Sequence, residues 1–500
     1  MDDPTAPRGR EAVHLLERLP LRLPFHVYFE LFRRRPFPFL LDSARDPDTL
    51  GRFSFMGADP SLVLRARRGA PRRDGPHTAR VTVFDGRDAS ASRPIAEREG
   101  DPFEELRRLL AAHAVPRELY VDRPVPLIAG AVGYVGYESG RFLERLPDLG
   151  RDDLGLPDLH LGLYDATLAC SHRTGDAFLS VLGRGETPAS ARARAERTRD
   201  ELLREIARLE SRPPLDWAPR PERGRLLTAH AGEDEYCALV RRVKEHILDG
   251  DVFEACLTHR IESPFAADAW DLYRELRRVN PAPFACYLGM PEATVVSSSP
   301  ERFVRLDANG VAESRPIKGT RRRGATEEED RRSLLDLQSS VKDQAENNMI
   351  VDLVRNDFGR VCRFGTVHVP ELRVVERYAT LYQMVSTIRG ELEHGRDAVD
   401  LLRACFPGGS MTGAPKIEAM SILARLEPVE RGIYSGSIGY LDFAGPMDLN
   451  IVIRTFVLKD DRALYGVGGA IVADSEPEAE YQETLDKAQA LMTALRNVGG

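Results

Sequence analysis

Two stretches of the sequence each set a pair of carboxylates three residues apart: Asp343 and Glu346 at the start of DQAENNMIVDLVRND, and Glu480 and Glu483 within EAEYQETLDKA. At that spacing both acids of a pair share one face of a helix. Two such helices brought together would make a site of four carboxylates, which stay ionised side by side only around a cation. Hard oxygen ligands of that kind suit Mg²⁺ that keeps waters and meets an anionic substrate. The plainer reading of each pair is a solvated face on a charged helix.

Three further stretches could meet such a substrate. Lys318 stands in SRPIKGT, between a predicted strand and a glycine. A lysine amine in a desolvated pocket can lose its proton and act as nucleophile or base, which arginine does not do. The chain has six lysines against 64 arginines, so a lysine beside Pro316 and Ile317 is less arbitrary as a cation than it would be elsewhere. Its alternative is an exposed lysine. In FPGGSMTGAPK, glycines, hydroxyls and a lysine lead into a helix and could cradle an anion on backbone N–H groups, although the spacing is not that of a Walker loop. The competing account is a glycine-rich turn that caps a helix. In VIRTFVL, Arg454 reads as lying inside an apolar strand, with Gly468 and Gly469 in the next strand. A cation on a strand, beside glycines that allow close backbone approach, fits a carboxylate-binding wall. Alternatively, Arg454 points to solvent.

These residues need elements to hold them. Residues 1 to about 210 read as β-rich: FPFLLDS, GRFSFMG, SLVLRARR and ARVTVFDG are predicted strands, and Asp101-Pro102 is a helix start. A charged amphipathic helix, TPASARARAERTRDELLREIARLE, leads to the proline- and arginine-rich RPPLDWAPRPERG, which sets the boundary between regions 1–215 and 216–500. Beyond it, EDEYCALVRRVKEHILDG reads as a helix stopped by Gly250, with VFEACLTHRI a strand after it. Further helices are expected over 339–358, 414–425 and 476–495, and GIYSGSIGYLDF, LNIVIRTFVL and ALYGVGGAIVADS read as an antiparallel meander. The expected class is α+β, with antiparallel sheet dominant and helices outside.

Composition narrows the function. The chain has 500 residues, 42% hydrophobic and 30% charged, which is a globular composition. A net charge of −8 argues against a general nucleic-acid binder. The six cysteines have no Cys-x-x-Cys spacing and read as reduced, buried thiols. The opening MDDPTAPRGRE does not read as a secretory leader, and no apolar run approaches the ~18 residues of a membrane span. A cytoplasmic protein with no membrane partner is expected.

In order along the chain, SPERF, PIKGT, DLVRND, FPGGSMTGAPK, GIYSGSIGY, IVIR, GGAIVADS and EYQETLDKA resemble the chorismate-utilising family. That family includes anthranilate synthase component I, aminodeoxychorismate synthase component I, and isochorismate and salicylate synthases. FLLDSARD, GRFSFMG and GYVGYESGRF are similar to the N-terminal part of the same proteins. The resemblance implies a large antiparallel β-sandwich flanked by helices. It implies Glu346 and Glu483 as Mg²⁺ ligands, with Asp343 and Glu480 reaching the metal through water, and a metal that holds the ring carboxylate of chorismate. Ser410, Tyr434, Arg454, Gly468 and Gly469 match substrate-binding positions, and Glu301 resembles the general acid.

Within the family, PIKGT resembles the aminodeoxychorismate synthases, in which the lysine attacks C2 of chorismate and ammonia then enters at C4. Such a protein feeds 4-aminobenzoate and folate synthesis, or a specialised pathway. Three positions depart from relatives. Gln383 stands where anthranilate synthases usually have a histidine linked to pyruvate loss, Glu254 where isochorismate synthases have a water-activating lysine, and Ala470 where glycine is common. No glutaminase pattern with a cysteine nucleophile is seen, so the resemblance implies a separate glutamine amidotransferase subunit as ammonia source. Leu41-Asp42-Ser43 resembles an element that binds tryptophan in feedback-regulated relatives, with aspartate replacing glutamate. The alternatives are anthranilate synthase component I and a non-catalytic subunit that binds chorismate or tryptophan.

Overall fold

Helix boundaries follow from caps. Asp101 accepts the Phe103 N–H at 2.8 Å and Pro102 takes the first helical position, so a helix runs Pro102–His113. Thr187 and Ser190 form a capping box at the head of Pro188–Glu210. The helix Glu233–Leu248 ends just before Gly250, whose φ of +84° a side chain would oppose. The two helices that carry the carboxylate pairs are Val341–Gly359, capped by Ser340, and Pro477–Val498. The helix expected from 414 runs Lys416–Leu426. A further helix, Glu327–Ser339, is not among those the sequence predicts. Thr326 and Glu329 cap it reciprocally, and acidic residues fill its first turn, where the helix dipole favours them.

The structure is a computed structural model and describes residues 4–7, 9, 11–46, 50–69, 75–116, 123–213, 228–378 and 381–499. Among these, two antiparallel sheets of twelve strands each face one another, and the fold is α+β as expected. Each sheet is built from both halves of the chain. In the first, Phe39–Asp42 pairs with Phe284–Gly289; in the second, Gly130–Val135 pairs with Ser437–Asp442. The boundary near 215 lies outside the described residues. Apolar side chains from both sheets, including Phe55, Leu64, Leu161 and Tyr440, fill the space between them. Outside the first sheet, Trp270, Tyr273 and Leu276 pack with Ala488 and Leu491 of the last helix.

One expectation fails. The stretch LNIVIRTFVL is not a strand of a meander: it divides into Met447–Asn450 in the second sheet and Thr455–Lys459 in the first. Arg454 therefore lies in the crossover, with φ +51°. A left-handed residue breaks the alternation of the pleat, so the chain changes sheets here instead of extending one. The preceding hairpin, Ser437–Asp442 with Met447–Asn450, belongs to the second sheet, and Arg462–Ile471 pairs with Thr455–Lys459 in the first.

Candidate active site

The site forms where the chain passes between the sheets. A second crossover joins Thr294–Ser299 of the first sheet to Arg302–Leu306 of the second and carries Glu301. The two crossovers are stitched together. Ile451 N–H donates to the Glu301 carbonyl at 3.0 Å, and Ser298 N–H donates to the Arg454 carbonyl at 3.1 Å. The backbones that carry Glu301 and Arg454 are thus tied to one another through these bonds. Burial pushes the Glu301 carboxyl up to about 7, against the opposing influence of the Ser410 hydroxyl, the Ile317 N–H and the Lys318 and Lys487 charges. A carboxylic acid still half protonated near neutral pH can deliver a proton.

Lys318 sits on the edge strand Ile317–Arg322 and is 9% exposed. Gly319 follows at φ +84°, and a Cβ there would come within 2.9 Å of an Asp343 carboxylate oxygen, so the chain can bend here only with glycine. Lys318 Nζ donates to Glu254 Oε1 at 2.9 Å and lies 3.7 Å from Glu346 Oε2. Burial alone would lower its pKa, but attraction to Glu254 and Glu346 outweighs burial and holds the ammonium protonated. Glu254, which the sequence marks only as a departure from relatives, opens the strand Glu254–Pro264; its second carboxylate oxygen is buried without a partner.

The four carboxylates do not meet as one set. Lys342 lies between the two helices, 3.4 Å from Glu480 Oε1 and 4.0 Å from Glu346 Oε1. Asp343 turns away to Arg321 at 2.9 Å, and Glu483 pairs with Lys487 at 2.7 Å. The reason is angular: residues three apart on a helix point about 60° from one another, so a pair shares a face without sharing a focus. Among the described residues no group of three or more His, Cys, Asp or Glu side chains is close enough to hold a metal. The donors nonetheless fit a hard cation in kind. Glu480 is 4% exposed and its Oε2 has no partner, and Gly469 presents bare backbone where a Cβ would stand 3.0 Å from that oxygen and 3.7 Å from Glu483 Oε1.

Arg454 has no carboxylate within ion-pair distance among the described residues and reaches only the Asn280 amide oxygen, at 3.4 Å. Burial lowers its pKa, and the nearby Arg45 adds to that. A sunken cation without an acid leaves room for an external anion. Tyr434 is buried with its ring flat against Gly466, where a Cβ would stand 2.2 Å from the ring. Gly468 pairs with Thr258, and its carbonyl accepts from Lys487 at 2.8 Å. Gln383 is buried opposite Thr320, and Ala470 is an ordinary strand residue opposite Cys256. Lys416 is not free to meet an anion: it clamps Asp357 and the Cys405 carbonyl, both at 2.7 Å.

Asp42 and Ser43 line a separate cavity between the sheets, together with Arg302, Phe284 and Tyr440. The Asp42 carboxylate is already engaged there by Arg277 at 2.6 Å, Tyr273 at 2.8 Å and Ser54 at 3.0 Å. No helix of the described residues is long and apolar enough to cross a membrane.

The family described as chorismate binding enzyme matches residues 61–493, and the chain belongs to it. An aminodeoxychorismate synthase of Streptomyces pristinaespiralis is 42% identical over 496 residues, 98% of this chain; the chain spans 66% of that protein. An anthranilate synthase component 1 of Cereibacter sphaeroides is 37% identical over 481 residues, covering 96% of this chain and 93% of that one. Among solved structures, the anthranilate synthase component I of Streptococcus pneumoniae TIGR4 superposes with a TM-score of 0.73 at 28% identity, covering 88% of this chain and 91% of that one. The fold is that of anthranilate synthase component I and its relatives.

Proposed function

We propose that the chain is the chorismate-aminating component of aminodeoxychorismate synthase, taking chorismate and ammonia to 4-amino-4-deoxychorismate. The observation that carries this reading is Lys318, a buried amine beside the raised acid Glu301, on the edge strand of the cleft. Arg454, without an acid of its own, binds one substrate carboxylate, and Tyr434 forms part of the substrate wall. Lys318, as the free amine, adds to C2; both ring double bonds shift, C1=C2 to C1=C6 and C5=C6 to C4=C5, and the C4–O bond breaks. Glu301 donates its proton, so the hydroxyl leaves as water. Ammonia attacks C4, both double bonds shift back, and Lys318 departs from C2 with its electron pair. The surplus proton on the new C4 amine returns to Glu301. Glu254, with one carboxylate oxygen unpartnered, is the acceptor that takes the lysine proton before attack.

Glu346 and Glu483, with Glu480 through water, would hold Mg²⁺, which supplies positive charge for the ring carboxylate of the substrate. Gln383 cannot titrate near neutrality, which favours a product that keeps its enolpyruvyl group. An amidotransferase subunit supplies the ammonia, and the product serves 4-aminobenzoate synthesis in the cytoplasm. The Asp42 cavity is a place for an amino acid such as tryptophan only if Arg277 gives up its hold on Asp42. Incubation of the protein with chorismate, Mg²⁺ and ammonium, with the product identified by mass, tests the proposal. Fluorescent anthranilate would overturn it, and binding without turnover would favour a silent chorismate-binding subunit.

A further inference from the structure

The turn that carries Tyr434 is held from the other half of the chain. Glu138, in the short 3-10 helix Tyr137–Phe142, is buried, and its two carboxylate oxygens accept the N–H groups of Arg431 at 2.9 Å and Gly432 at 2.8 Å. Tyr137 N–H returns a bond to the Gly432 carbonyl at 2.8 Å, and the Tyr137 ring lies 4.3 Å beneath the Arg431 guanidinium. That guanidinium is 2% exposed and reaches three separate segments. It donates to the Cys256 carbonyl at 2.7 Å, the Met411 carbonyl at 2.6 Å and Ser435 Oγ at 3.3 Å, while Glu427 neutralises it at 2.6 Å.

Each of those segments bears a residue of the site. Cys256 is two residues along the strand from Glu254, the acceptor for Lys318. Met411 follows Ser410, whose hydroxyl is among the groups that favour the ionised Glu301 carboxyl against its burial. Ser435 follows Tyr434. We infer that Glu138 and Arg431 are a positioning pair, through which the N-terminal half sets the spacing of the lysine, the acid and the substrate wall. The planar fork suits that role, because one guanidinium binds several carbonyls in fixed directions, which an ammonium cannot do. Glu138 in turn fixes the backbone from which that fork projects. Nearby lies a charge network whose field reaches Glu138, in which Arg68 and Arg141 each come within 2.7 Å of Glu430.

This inference deepens the proposed function and rests on the same site, but not on which product leaves it. The test compares Glu138→Gln and Arg431→Lys with Asp442→Asn. Asp442 is a matched control: a buried carboxylate that accepts the N–H groups of Ile128 at 2.9 Å and Ala444 at 2.8 Å, at the far end of the strand that follows Tyr434. Chorismate affinity is measured by calorimetry and chorismate consumption by its loss, below the unfolding range of every variant. Glu138→Gln and Arg431→Lys are expected to weaken chorismate binding about tenfold and to slow consumption by a further ten- to a hundredfold, the range that ångström misplacement produces. Asp442→Asn should lower the melting temperature comparably and leave both readings near wild type. If all three variants bind and consume chorismate alike once folded, the pair is structural only and the inference falls. Should Arg431→Lys fail to fold, Glu138→Gln decides alone. An anthranilate product would overturn the proposed function without touching this comparison, and with no turnover at all the affinities still decide it.

Discussion

Lys318 and Arg454 are both cations of the candidate site, and the protein compensates them in opposite ways. Lys318 has two carboxylates, Glu254 at 2.9 Å and Glu346 at 3.7 Å. Arg454 has an amide oxygen and a left-handed backbone. A charge neutralised by the protein is available for chemistry only after its proton moves, whereas a charge left uncompensated is available for an anion from outside. The difference assigns bond formation to the lysine and binding to the arginine, and substitutions at the two positions should differ in kind as well as in size.

The largest effect is expected at Lys318. Lys318→Ala and Lys318→Arg should both lower amination by about a thousandfold or more, because neither side chain can add to C2 and be expelled again. The arginine variant separates charge from nucleophilicity: if it retains appreciable turnover, the bond-forming role is lost. Lys318→Ala also leaves the buried Glu254 without its ammonium, so urea titration should show a loss of about 3–5 kcal/mol. Arg454→Gln should behave otherwise. Steady-state kinetics should show kcat/KM for chorismate down by roughly ten- to a hundredfold, through KM, since a charged hydrogen bond contributes about 1.5–3 kcal/mol. Stability should stay within about 1 kcal/mol of wild type, because no carboxylate loses its partner. An Arg454→Gln variant as unstable as Lys318→Ala would erase the contrast.

Glu301 sharpens the comparison through pH. Its folded value of about 7 lies above the ordinary 4.5, so the proton it needs as general acid is lost as pH rises through about 7. After correction for free ammonia, wild-type kcat should fall above that pH, and Glu301→Gln should be slow and lack this limb. The same shift acts on stability. The protonated carboxyl contributes fully below about 4.5 and its contribution is lost between 4.5 and 7, on the order of 3 kcal/mol. Glu301→Gln should therefore gain stability relative to wild type across that window, measured by denaturation at pH 4.5 and 8.

Much of this is legible in the sequence, and the parts that are not share a cause. Caps are local, so Asp101, Thr187 and Gly250 mark helix ends within a residue or two. Lys318 stands out because the chain otherwise uses arginine. Arg454 reads as a strand residue because apolar neighbours on both sides hide a left-handed φ that only the change of sheets requires. The carboxylate pairs read as one cluster because spacing along a helix does not reveal where the lysine just before Asp343 points, and Lys342 intervenes. What Glu138, Glu254 and Arg431 do is hidden from the sequence. Their partners lie 293, 64 and 175 residues away along the chain, and their contacts are largely backbone groups or a single amine, which no side-chain pattern announces. The string GYVGYESGRF is the available signal for Glu138: an acid among glycines and aromatics in an otherwise buried strand-and-turn.

The smallest effect belongs to the binding side. Tyr434 is buried against Gly466, so Tyr434→Phe keeps the ring in place and removes one hydroxyl. If the wall serves binding, the loss is that of one hydrogen bond to substrate, about 1 kcal/mol, and KM for chorismate should rise about fivefold with kcat unchanged. Gly466→Ala is the stricter partner, because its Cβ would stand 2.2 Å from the ring and must displace it. A Tyr434→Phe variant that lowers kcat and leaves KM alone would move Tyr434 from the arginine's side of the comparison to the lysine's.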